Sequence, residues 1–525
     1  MFTCIRLLGL RERGLAKGDE MTSTLYSGAL IVSRGAAATP MEPTDIVVQA
    51  GVIQRVGPAG TLSADTSIDV SGTIAAPGLI NGHLHSWDHF IKGRAENLPM
   101  EVVMAHLRPK VPLPLNERHI YLRTMMTAIE TLRTGTTTVV DDMSLGQRFA
   151  RSDVDAALQA YEDSGLRAYL GFSMIDKPVV DSWPFVDECF SPQTLKELRA
   201  LPRPDGEALL ELVRTLAGER HPSGSRVSVI VAPSAPQRCT DEYLRRCRAL
   251  ADELDLPVMV HVLETRIQAV TAEMFYGCSM VEHLARLGFL APKTTLVHGI
   301  WLSKNDRKLI AESGASVQYN PWSNASIGSG AADFTALRRA GINVAMGSDG
   351  CGVTFNCSML LALKFGVGIG RIRTAEPDDW PTAESIWDAA TLGGATALGR
   401  DDLGQLLPGY KADIVFYDRA SMALVPLNVP VRQLVHSETG AGIDTVVIDG
   451  RLVMRKGVFS TINEADLIAE FNDVHREMLP YIEQSEIASR PMIEGLNRIY
   501  RRALTVPIAQ GITAGIFDAT CGGRH

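Results

Sequence analysis

PGLINGHLHS, residues 77–86, closes an apolar, β-rich run that begins at Thr73 and leaves His83 and His85 one residue apart. In extended chain, residues two apart share a face, so both imidazoles point to one side. That is a geometry for two ligands on one metal ion. An isolated pair of this kind is a weak signal, and its weight comes from the ends of the later strands.

Seven more apolar runs come after it: TTTVVDD (136–142), LRAYLGF (166–172), RVSVIVAP (226–233), PVMVHV (257–262), TTLVHG (294–299), ASVQYNP (315–321) and NVAMGSDG (343–350). Helical patterns such as TDEYLRRCRALADELD and DFTALRRAG lie between them. Eight strand–helix units predict a parallel sheet covered by helices, and the span suits an α/β fold of the (β/α)₈ TIM-like barrel type. An open doubly wound sheet is disfavoured, because no GxGxxG follows the first strand. Short alternating strands flank this middle: LYSGALIVS, DIVVQAGVIQRVG and SIDVSG before it, ADIVFYD (412–418) and IDTVVIDGRLVMRKGVF (443–459) after it, the last with an Asp449-Gly450 hairpin. The expected division is a disordered extension over 1–22, a composite β-sandwich from 23–72 and 404–460, a barrel over 73–403, and a helical C-terminal extension with a loose tail over 461–525.

The bulk composition fits this reading. The 525 residues are 46% apolar and 21% charged, as in an ordinary globular enzyme. A formal net charge of −9 argues against nucleic acid, which calls for basic patches. The eight cysteines form no CxxC pair, so a zinc ribbon is not supported; the thiols read as reduced and the protein as cytoplasmic. No run of apolar residues is long enough to span a membrane.

A barrel carries its chemistry at the C-terminal ends of its strands. His83 and His85 follow the first run, His261 ends the fifth and Asp349 the eighth. Three imidazoles and one carboxylate leave a position open for water, as a catalytic rather than a structural site requires. Glu264, three residues past His261, and His298, at the end of the sixth run, are the candidates for proton transfer. Taken singly, a strand-end histidine is commonly structural, and an Asp before Gly is commonly a turn residue. Their joint order along the strands points to metal-dependent catalysis. Trp87, Trp301 and Trp322 are candidates for an aromatic wall around a planar substrate, and His89 and Asn324 for substrate contacts, with loop packing or turn formation as the alternative for each.

These motifs resemble the amidohydrolase superfamily. PGLINGHLHS resembles its first-strand metal motif, and HVLET, LVHGIWLS and MGSDG its later strand-end signatures. NPWSNASIGSG (320–330) looks like a loop of the deaminase and chlorohydrolase branch, which includes triazine hydrolases, deaminases of adenosine derivatives and phenylurea hydrolases. The resemblance runs from about residue 25 to 460. It implies one zinc or iron ion on His83, His85, His261 and Asp349, with Glu264 protonating the ring nitrogen or leaving atom. It further implies that His298 orients the attacking group and that Asp349 takes the proton of the water. The bridging lysine of the two-metal branches has no counterpart in VIVAPSAPQRC, and Ser234 stands there where some deaminases carry histidine. The reading is hydrolysis of a C–N bond at an sp² carbon of a small molecule, foremost deamination of an amino-substituted N-heterocycle, by a homo-oligomer. Cleavage of a urea, carbamate or amide, dechlorination of a triazine, and an inactive barrel serving as a binding module are the alternatives.

Overall fold

The computed structural model describes residues 22–32, 42–144 and 150–508. The expected N-terminal extension, Thr22 apart, and the Gly-rich tail lie outside the described residues.

Eight strands carry the barrel: β1 (Leu79–Leu84), β2 (Thr136–Asp142), β3 (Arg167–Gly171), β4 (Val227–Val229), β5 (Val258–Val262), β6 (Thr294–His298), β7 (Ser316–Tyr319) and β8 (Asn343–Met346). They pair in parallel as two four-stranded sheets, β1 to β4 and β5 to β8. Apart from Asn343, which is half-buried, every residue in them is buried; strands covered on both faces therefore read as continuous Val, Leu and Thr runs rather than as alternations. At one seam Val231 bridges to Val258. At the other, the amide of Asp349 donates to the carbonyl of His83 at 3.0 Å. The two sheets close as a distorted (β/α)₈ barrel, and the second seam sets the last ligand candidate beside the first.

The helices behind the strand ends start on side-chain caps. Thr240, Thr265 and Ser303 accept from the amides of Tyr243, Gln268 and Asp306. Such caps contribute about 1 kcal/mol each and anchor the loops after β4, β5 and β6.

The flanking strands form a nine-stranded sheet. Its halves meet where Thr73–Pro77 pairs antiparallel with Ile414–Asp418. The run TIAAPGLI, expected as one strand, is therefore divided between two sheets. Gly78 is the joint: a Cβ there would fall 2.1 Å from Thr137 Oγ1, so only glycine lets the chain cross this closely over β2. Arg167 of β3 donates to Asp413 at 2.9 Å and to Asp449 at 3.2 Å, tying the barrel floor to the sandwich through a buried ion pair.

Helix Glu464–Leu504 continues through Pro480 and Pro491. Val474, Met478 and Ile482 join Phe90 and Trp87 in one apolar cluster, and Leu496 and Ile499 join Val180 and Phe190 in another. It thus lies over the long excursions that follow β1 and β3. Among the described residues, no helix is long and apolar enough to cross a membrane.

Candidate active site

His83 sits in β1, and His85 follows its end. His261 lies in β5, His298 ends β6, and Asp349 follows β8. The structure brings all five together. His83 Nε2 and His85 Nε2 lie 3.5 and 3.4 Å from Asp349 Oδ1. Potential donor atoms of His83, His85 and His261 fall within 4.8 Å of one another, as do those of His83, His298 and Asp349. Zinc bonds of about 2.0–2.1 Å in tetrahedral array would separate ligand atoms by roughly 3.4 Å, so the spacing suits a single divalent ion.

The tautomers agree. His85 Nδ1 lies 2.8 Å from the carbonyl of Asp142, and His261 Nδ1 lies 2.8 Å from that of Ser234. A carbonyl only accepts, so each Nδ1 carries the proton and each Nε2 keeps its lone pair free. His83 Nε2 is buried with no hydrogen-bond partner, an arrangement that costs free energy unless an ion completes it. Burial pushes the pKa of His83 and His261 down, which favours the neutral, ligating imidazole. Burial opposes the Asp349 anion, but the nearby imidazoles of His83, His85 and His298 hold its pKa well below the usual range. Ser323 Oγ donates to Asp349 Oδ2 at 2.6 Å and fixes the carboxylate's outer oxygen.

Backbone strain concentrates here. Leu263, His298 and Asp349 have φ of 51°, 75° and 66°, in the left-handed region that non-glycine residues avoid. Each such residue costs on the order of 1 kcal/mol or more, and the strand ends hold them there. Gly350 is obligatory for a different reason: a Cβ would sit 2.2 Å from Asp88 Oδ2.

The two proton-transfer candidates lie together. His298 Nε2 is 3.6 Å from Glu264 Oε1 and 3.9 Å from Asp349 Oδ2. His298 Nδ1 donates to Asn324 Oδ1 at 2.9 Å, which turns Nε2 inward. Burial raises the Glu264 pKa.

The remaining candidates separate. Trp87 is buried against His85 at 5.6 Å between ring centroids and lines a cavity of about 410 Å³. Asn324 serves His298. Trp301 and Trp322 donate to the carbonyls of Ser329 and Thr354 and do not line that cavity. His89 is half-buried between Thr127, Cys351 and Phe471, and desolvation pushes its pKa down to about 3. The sequence reading missed Asp142, whose carbonyl holds His85 and whose carboxylate accepts from the amide and hydroxyl of Ser173. It also missed Glu101, Arg108 and Arg238, which line the cavity beside Trp87. The only sequence signal for these is an ionisable residue in an otherwise apolar segment, as in LPMEVVM and APQRC.

The model of the amidohydrolase family matches residues 74–453. A 5-methylthioadenosine/S-adenosylhomocysteine deaminase of Nitratidesulfovibrio vulgaris is 32% identical over 460 residues, covering 87% of this chain and 97% of the relative. A zinc-bound adenosine deaminase from Xanthomonas campestris superposes with a TM-score of 0.75 at 26% identity, over 87% of this chain and 99% of that one. Atrazine chlorohydrolase from Arthrobacter aurescens TC1, complexed with zinc, shares the fold with a TM-score of 0.76 at 21% identity, over 86% and 100% of the two chains.

Proposed function

This chain belongs to the amidohydrolase family, and from that premise we propose that it deaminates an amino-substituted N-heterocycle, with adenine-type rings as the leading substrates. The observation that carries the reading is a buried carboxyl, Glu264, 3.6 Å from His298 and beside a cluster of donors spaced for one metal ion. His83, His85, His261 and Asp349 would hold that ion. A bound divalent ion, zinc or iron, supplies a water acidified towards about pH 7.

The chain's own groups manage the protons. Burial raises the Glu264 pKa and so favours its protonated form, and Glu264 gives a proton to the ring nitrogen as water adds to the adjacent carbon. His298, turned by Asn324, presents Nε2 to the attacking oxygen. Asp349 Oδ2 takes a proton from the water and returns it to the exocyclic nitrogen. The C–N bond then breaks, ammonia leaves, and the proton of the added hydroxyl passes to the Glu264 carboxylate as the ring carbon becomes a carbonyl, restoring the acid.

The decisive assay measures ammonia release by the metal-loaded protein over aminopurines, pteridines, aminopyrimidines and aminotriazines, beside ureas and carbamates. Ammonia from an amino-heterocycle is the expected result. Turnover confined to ureas or carbamates, or chloride release from a chlorotriazine alone, overturns the reading.

We also read the chain as a cytoplasmic homo-oligomer acting on a small molecule and not on nucleic acid. The negative formal charge supports the reading against nucleic acid, the free, buried Cys189, Cys239, Cys247, Cys278, Cys351 and Cys357 support a reducing compartment, and the family resemblance supports the oligomer. The division into a composite sandwich (23–72 and 404–460), a barrel (73–403) and a helical extension (461–525) is part of the same proposal.

A further inference from the structure

The cavity behind Trp87 holds two guanidinium groups that the deamination chemistry does not use. Arg238 is buried and Arg108 half-buried. Arg108 Nη2 donates to Ser173 Oγ at 2.9 Å, and Arg238 Nη1 donates to Ser234 Oγ at 3.0 Å. Both Nε atoms are buried without a partner. Among the described residues, neither guanidinium forms an ion pair, although the carboxyls of Glu101 and Asp153 line the same cavity. Glu264, Glu101 and Asp142 act on Arg238 from beyond contact distance, and Arg238 and Asp142 act on Arg108. A buried cation left without an anion is costly, and even with burial pulling Arg108 down to about 10 it stays charged at neutral pH.

Short chains of contacts join both arginines to the metal-ligand histidines. Ser234, which binds Arg238 by its hydroxyl, accepts from His261 by its carbonyl. Ser173, which binds Arg108, is held by the Asp142 carboxylate, and the Asp142 carbonyl accepts from His85. The Arg108 guanidinium also lies 5.2 Å over the Trp87 ring, whose other neighbour is His85. An anion between these guanidiniums is therefore close to the reacting ring rather than at the end of a long side chain.

Resting on the deaminase reading above, we infer that the substrate is an amino-heterocycle bearing a carboxylate on the ring or one carbon from it, and that Arg108 and Arg238 bind this carboxylate. A monoanion suits the site better than a phosphate. Arg108, Arg123, Arg203 and Arg238 line the cavity with the carboxyls of Glu101, Asp153 and Glu486, so the carboxyls offset most of the positive charge. Guanidinium forks match planar carboxylates. Apolar neighbours such as Met104, Phe172 and Ile175 leave the rest of the cavity suited to a flat ring.

The test uses metal-loaded protein and matched probes: pterin-6-carboxylate against pterin-6-carboxamide, and adenine-9-acetate against adenine-9-acetamide, with 9-(phosphonomethyl)adenine as a third anion. Affinity is read by stopped-flow quenching of tryptophan fluorescence and turnover by ammonia release. The expected result is at least 30-fold tighter binding of the carboxylate in one scaffold, falling below threefold in Arg108→Gln and in Arg238→Gln. Arg108→Lys, which keeps a cation, is expected to retain part of the preference. Equal affinity for acid and amide in both scaffolds overturns the inference, and this needs no variant to fold. So does a preference that survives in both Gln variants, or a phosphonate that binds tenfold tighter than the carboxylate. A strong carboxylate preference without ammonia release from any probe leaves the anion site standing and overturns the deaminase reading instead.

Discussion

The metal-ligand cluster and the cavity behind Trp87 adjoin each other but are built from different material. His83, His261 and His298 sit within or at the end of barrel strands, and Asp349 is pinned to His83 through a backbone hydrogen bond. Backbone carbonyls set the tautomers of His85 and His261. The cavity takes Glu101 and Arg108 from the excursion after β1, Ser173 from the loop after β3, Arg238 from the loop after β4, and Ile482 and Met492 from the C-terminal helix. A reaction centre on strands is rigid and carries the chemistry of the whole family; a binding cavity on loops and an added helix can change without disturbing it. The chemistry should therefore fail sharply when the first region is altered, and the second should respond in selectivity and stability.

The largest expected effect is at Asp349. Asp349→Asn removes one anionic ligand and the acceptor for the proton of the water, and kcat should fall by about 10⁴-fold or more with bound metal lost, as elemental analysis of the purified variant would report. Retention of stoichiometric metal and near wild-type kcat would break the assignment of the strand-end cluster. Glu264→Gln comes next: a loss of about 10²–10⁴-fold in kcat is expected with metal content unchanged. If metal is lost with it, Glu264 belongs to the ligand set rather than to proton transfer.

Across the boundary, Glu101 tests the cavity through stability. Burial raises its pKa to about 7. A carboxyl raised on folding binds its proton more tightly in the native state. Its contribution is then fully present below the unfolded value near 4.5 and is lost as pH rises through about 7. The wild type should lose on the order of 3 kcal/mol relative to Glu101→Gln between pH 4.5 and 8, read from urea unfolding at several pH values. Parallel stability profiles for the two proteins would show that Glu101 is not held protonated. The smallest effect is expected at Asn324, which touches only His298 in the site. Asn324→Ala frees the imidazole to change tautomer and should cost about 10–100-fold in kcat with KM little changed. A rise in KM alone would move Asn324 into substrate contact.

Several features were legible because they repeat with a regular spacing or chemistry. The eight apolar runs, the HLH pair, HVLET, LVHG and MGSDG each state a strand end and the group it carries. The break at Pro77-Gly78 was not legible: TIAAPGLI is uniformly apolar, and nothing local tells that Thr73–Pro77 will pair with a segment more than 300 residues later in the chain. The partner of His298 was not legible for a similar reason. Asn324 sits in a short helical turn after β7, and its reach to β6 depends on how neighbouring strands are staggered.

The amino-acid sequence by itself determined the barrel, the identity of the side chains at the strand ends and hence the kind of chemistry, because hydrophobic period and motif spacing are local properties of the chain. Only the tertiary structure decided which nitrogens face inward, that Asp142 and Ser234 buttress two of the histidines, and that two guanidiniums share a buried cavity. Those depend on contacts between segments distant in sequence, where packing and desolvation set the outcome and no local pattern records it.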